Sequence, residues 1–100
     1  MHVINWTALD EYKIEYLTVC DRIADLLAQQ ENKEDEILSI TDRVDELLDA
    51  QDATFGNEIA RAREKRTRLR EECVELRRER RSLEARRDWL LVQASIVFKD

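Results

Sequence analysis

Residues 59–97, IARAREKRTRLREECVELRRERRSLEARRDWLLVQASIV, decide how this chain folds. An apolar or aliphatic-stemmed residue recurs at alternating three- and four-residue spacing, and Leu69, Leu76, Leu83 and Leu90 stand one heptad apart. A seven-residue repeat held over this length keeps one narrow stripe turned toward a partner helix, so the segment predicts half of a coiled coil.

The rest of the composition agrees with helix. A chain of 100 residues cannot wrap a wide core and must bury its stripe against itself or another subunit. It has no proline, one glycine and 40% charged residues, the profile of long helices rather than of sheets. At the other end, Thr7 is placed to cap a first helix, with Asp10 and Glu11 in its opening turn. A second stripe follows: Leu9, Tyr12, Tyr16, Val19, Ile23 and Leu26, then Gln30 and Lys33, then Ile37, Ile40, Val44 and Leu47. Gln30 and Lys33 are polar seam residues, which lower stability but fix register; with no breaker nearby, the helix is expected to run through them.

The two stripes are out of phase by one residue: the first projects its next a position onto Glu58, whereas the second needs Ile59. The slip coincides with Asp52-Ala-Thr-Phe-Gly-Asn57, which holds the lone glycine. Gly56 suits the left-handed conformation that ends a helix, and Asn57 tolerates it or caps the next. The expected architecture is therefore all-α: helix 1 over about 7–52, a turn at about 53–57 and helix 2 over about 58–98. These form an antiparallel two-helix coiled-coil hairpin that pairs into a four-helix dimer. One allowed register, with the turn centred on Gly56, sets Ile23 beside Leu90, Ile37 beside Leu76, Ile40 beside Cys73 and Val44 beside Leu69, with Leu83 also in the seam. It stacks Lys33 near Arg80 and separates Cys20 from Cys73 by about 30 Å, too far for a disulfide. The competing folds are one continuous helix in a parallel dimer and a three-helix arrangement broken near Gln30. A parallel homodimer would set Arg66, Arg80 and Arg87, all at a positions, against their own copies.

Charge is unevenly placed. Residues 1–55 hold 4 basic and 14 acidic side chains, and residues 56–100 hold 13 and 9, so an acidic helix folds on a basic one. Hydrophobicity is uneven too. Val3, Ile4, Trp6, Ile14 and Leu17 lie partly off the first seam, and Trp89, Leu91, Val92, Ile96 and Phe98 off the second. A hairpin gathers both sets into one apolar head, and such patches mark association surfaces. The residues assigned to protein contact are Trp6, Tyr12, Leu17, Trp89, Val92 and Phe98. They imply self-association and binding of a further, unidentified protein, as an adaptor, assembly factor or inhibitor.

Catalysis has little support, because His2 is the single histidine and Ser39, Ser82 and Ser95 have no base at helical spacing. No cofactor motif is present. Cys20, Cys73 and His2 do not form a metal-ligand set, and the acidic run Glu31–Glu36 lacks the glycine of a calcium loop. The segment Arg61–Arg87 holds 12 basic and 6 acidic residues and makes nucleic-acid binding an alternative. Basic helix plus leucine heptads invites comparison with basic-zipper transcription factors. Arg61 and Glu64, however, stand where that pattern wants small residues, and acids lie three or four residues from many of the arginines. The acidic first half permits a further alternative, a nucleic-acid mimic seated in a basic groove. No membrane-spanning run or secretory leader is read here, and two unpaired cysteines fit a reducing, cytoplasmic setting.

Overall fold

Two long helices, α1 (Trp6–Asp49) and α2 (Gly56–Phe98), pack against each other as an antiparallel hairpin, joined through a short 3-10 turn at Ala53–Phe55. This computed structural model describes residues 6–98, with side chains described for 6–96. Val3 and Ile4, and the side chain of Phe98, lie outside the described residues. No strand occurs among the described residues, and no helix among them is long and apolar enough to cross a membrane. α1 runs unbroken through Gln30 and Lys33, because neither residue removes a backbone donor or forces a positive φ.

By contact the chain divides into unit 1, Met1–Leu27 with Arg78–Asp100, and unit 2, Ala28–Arg77. In unit 1, Val19, Ile23 and Leu90 form a buried cluster against which Tyr12, Tyr16 and Leu83 pack; Leu26 is also buried. In unit 2, Val44, Leu47, Leu69 and Cys73 are buried, and Ile37, Ile40 and Leu76 half-buried. All are a or d residues of the two stripes. Burial thus repeats every three or four residues on each helix and leaves the remaining faces in water.

Outside the seam, the g positions pair across the hairpin. In unit 1, Arg86 meets Glu15 at 2.7 Å and Arg22 meets Glu79 at 3.0 Å. In unit 2, Lys65 meets Glu36 at 2.8 Å and Arg43 meets Glu58 at 3.1 Å. These pairs correct the expected register. Glu36 reaches residue 65, whereas the alignment of Ile37 with Leu76 would put it beside residue 77. Each α1 residue meets an α2 residue about one heptad nearer the turn. Val44 is accordingly not the layer partner of Leu69, nor Ile40 of Cys73. A slip of one heptad leaves every a residue facing a d residue, so apolar spacing alone does not distinguish the two alignments. Lys33 bonds to Glu72 at 2.8 Å within unit 2, and Arg80 pairs with Glu84 at 3.3 Å within unit 1, so each of these two seam cations has its own carboxylate.

The slip originates in the turn. Gln51, not Gly56, takes the left-handed conformation, with φ 51°. Its N–H donates to the Leu48 carbonyl, and the Ala50 N–H to that of Glu46, closing the end of α1. Asp52 then caps the 3-10 turn, its carboxylate accepting from the Thr54 N–H at 2.9 Å and the Thr54 hydroxyl at 2.8 Å. Those bonds, the backbone one first, hold the Asp52 carboxyl below its ordinary range. Gly56 is helical, at φ −54° and ψ −44°. The reversal therefore falls several residues before the glycine, because the Asp52 cap fixes where the second helical run begins.

Two substitutions separate this turn from one built on glycine. Gln51→Gly relieves the left-handed strain and should stabilise the fold by about 1 kcal/mol. A Cβ at Gly56 meets nothing within 4 Å, so Gly56→Ala should stabilise by about 0.4–1 kcal/mol. Chemical denaturation of both variants checks this; a Gly56→Ala chain that loses stability would return the turn to the glycine. In the seam, Leu26 is 1% exposed, and Leu26→Ala should cost about 2–5 kcal/mol in the same assay.

Candidate protein-binding surface

A two-stranded seam covers only the a and d stripe of each helix, and unit 1 carries more apolar surface than that. Leu90 is buried, while its neighbours Trp89, Leu91, Val92 and Ile96 are exposed, so the last described turns of α2 are apolar nearly all round. A helix of that kind is normally enclosed on every side. On α1 of the same unit Trp6, Ile14 and Leu17 stand 60%, 66% and 53% exposed. In unit 2 the large exposed apolar residues among those described are Leu38, Leu48 and Val74.

Trp89 is oriented rather than loose. Arg86 donates from Nε and Nη2 to the two carboxylate oxygens of Glu15, at 2.7 and 2.9 Å. Its guanidinium carbon lies 4.2 Å from the centroid of the Trp89 ring. On another side the Tyr12 ring meets Trp89 edge to face, 6.0 Å between centroids and 89° between planes. The hydrogen bond from Arg86 holds the Glu15 carboxyl below its usual range, and the same bond raises Arg86. Both partners are exposed, so the pair adds little stability. Its effect is to hold an indole that is still 42% exposed in one orientation, which lowers the ordering cost of using it as an anchor.

On the side of the seam away from the Glu15–Arg86 pair, α1 and α2 leave a groove of about 470 Å³ within unit 1, lined by Trp6, Leu9, Tyr12, Tyr16, Leu90, Leu91 and Ala94. Asp10 and Lys13 are the charged residues on its wall. The structure thus brings Trp6 and Tyr12 to the groove, sets Trp89 against Tyr12, and leaves Leu17 and Val92 exposed, at 53% and 55%. Phe98 ends α2. Sequence reasoning passed over Glu15 and Arg86 as positioning residues, although both occupy g positions at opposite sign, which is the available signal. It also passed over Leu9, Tyr16 and Ala94, seam residues whose outer edges form the groove wall.

Among the described residues no three of His, Cys, Asp and Glu converge as a metal would require. Both cysteines are free thiols, Cys73 buried and Cys20 half-buried. Burial pushes the Cys73 thiol up, which disfavours its reactive thiolate. No family model, curated protein or solved structure matches this chain. The functional reading rests on the surface itself.

The clamp makes a pH prediction. Because the folded Glu15 carboxyl lies below its ordinary range, near 4.5, the contact is fully present above that range and is lost as pH falls through the lower folded value. With Trp6→Phe leaving Trp89 as the single indole, its emission should shift to the red only once the pH has fallen below the ordinary carboxylate range. Arg86→Met should show the shifted emission already at neutral pH, with helicity unchanged. A thiol reagent should label Cys20 in the native chain and Cys73 only on unfolding; equal rates would contradict the buried seam position.

Proposed function

We propose that this chain is a non-enzymatic protein-interaction module, acting as an adaptor, assembly factor or inhibitor through the apolar surface of unit 1, on which it also associates with itself as a dimer. The observation that carries this reading is the set of large apolar residues that unit 1 leaves exposed, Trp6, Ile14, Leu17, Trp89, Leu91, Val92 and Ile96, with the Trp89 indole held in orientation. At roughly 100 Å² each they expose on the order of 700 Å² around the unit, more apolar surface than a two-stranded seam leaves in water. Interface hot spots favour tryptophan and tyrosine, and here Trp89 and Tyr12 already brace each other edge to face. Ion pairing supports a protein partner over nucleic acid along the g edge, since Lys65 and Arg86 already hold carboxylates. The two free thiols suit a reducing, cytoplasmic compartment.

Trp89→Glu combined with Val92→Glu tests the reading. Light scattering should give the mass of one 11.9 kDa chain where the parent gives twice that, with helicity by circular dichroism retained. A parent and variant of equal mass would remove self-association through this surface.

A further inference from the structure

We infer that unit 2 docks on unit 2 of a second copy of this chain, with α1 of each copy lying against α2 of the other. The inference goes beyond the self-association proposed above, which uses the apolar surface of unit 1, by naming a second, charged face, and it uses only residues of Ala28–Arg77.

The two flanks of the unit 2 seam differ. On the g flank the charges are already spent within the chain, Glu36 on Lys65 and Arg43 on Glu58. In an antiparallel pair the g positions of both helices share one side, which puts the e positions of both on the other. There α2 presents Arg63, Arg70 and Arg77, one heptad apart, about 10.5 Å along the axis at each step. Between them stand Thr67 and Val74, and no acid interrupts the e and b row of α2 in this unit. The e positions of α1 are Glu34, Thr41 and Leu48; only Glu34 is charged, and it accepts a hydrogen bond from Gln30. None of the three arginines has an ion-pair partner among the described residues, and the Arg77 Nε is buried with no hydrogen-bond partner. The outer flank of α1 is the reverse. Its e and b positions hold Glu31, Glu34 and Asp45 with no base, all exposed and none in an ion pair among the described residues.

One unit therefore carries an unpaired basic row on α2 and an unpaired acidic row on α1, both reaching the same flank. That combination is self-complementary. Two such flanks laid face to face can be related by a twofold axis along the helices, which sets α1 against the partner's α2, or by one across them, which sets like helix against like. The second arrangement opposes arginines to arginines and carboxylates to carboxylates, and such like-charge juxtapositions suppress pairing. The first opposes Arg63, Arg70 and Arg77 to the partner's Asp45, Glu34 and Glu31, and the symmetry makes every contact twice. A polyanion fits less well, because the acids of α1 flank the same arginines and the whole chain carries a net charge of −6.

Charge exchange tests this on the full chain. Arg63→Glu with Arg70→Glu, and separately Glu34→Lys with Asp45→Lys, all change exposed side chains, and circular dichroism checks that both variants remain helical. Sedimentation of each variant alone should show dimerisation weakened by about a hundredfold or more, while an equimolar mixture of the two should recover the parent's dimer. A monomeric parent, variants that dimerise like the parent, or a mixture that fails to recover overturns the inference. So does retention of the parent on single-stranded RNA at low salt that the arginine variant loses with its mass unchanged. If Trp89→Glu with Val92→Glu leaves the dimer intact while the charge variants dissolve it, the apolar self-association fails and this inference stands; the opposite pattern removes this one alone.

Discussion

An apolar stripe two side chains wide can be dried by one neighbouring helix, and a wider one cannot. Most of what this chain does structurally follows from where it respects that limit and where it exceeds it. Over Ala28–Arg77 the stripe stays narrow, and the hairpin closes it with Val44, Leu47, Leu69 and Cys73 inside and carboxylates or guanidinium groups outside. In the unit that holds both tryptophans the stripe broadens, and Trp89, Leu91, Val92 and Ile96 remain in water although their helix is fully formed. The surplus is too large to be end fraying alone, since Trp89 is clasped by Arg86 and Tyr12.

Polar groups in the seam give the same structure its specificity. Arg66 sits at an a position, donates to the Thr41 hydroxyl at 3.3 Å, and keeps its Nε buried without a partner. The Arg80 Nε lies 3.3 Å from the Glu84 carboxylate without the alignment of a hydrogen bond, and Gln30 buries its Oε1 unpaired. Such groups cost stability in the fold that exists. They also restrict the alternatives, because each displaced alignment must accommodate the same guanidinium groups in a different layer.

The hairpin and both seams were legible in the sequence because period and phase survive in the spacing of Leu9 to Leu47 and of Ile59 to Val97. The alignment of one helix on the other was not, since heptad spacing repeats after seven residues and is blind to a slip of that size. What fixes it is the turn, and there the sequence pointed to its glycine while the chain used the Asp52 carboxylate and a strained Gln51. Capping by a side chain competes with backbone permissiveness, and composition does not show which prevails. The same applies to the candidate surface. Surplus apolar residues could be counted, but the Glu15–Arg86 clasp joins positions 71 apart and exists only once the register is set.

The cross-helix pairs also differ greatly in chain separation: Arg43 and Glu58 are 15 residues apart, Lys33 and Glu72 are 39, and Arg86 and Glu15 are 71. The entropy lost in closing a loop rises with its length, so contacts nearest the reversal form at least cost, and each one shortens the loop left for the next. The entropic cost of closure is accordingly lowest in the charge-rich unit and highest in the apolar one. The apolar surface thus draws on residues from both arms of the hairpin, and on the ribosome it cannot be completed until the last turns of α2 have been made.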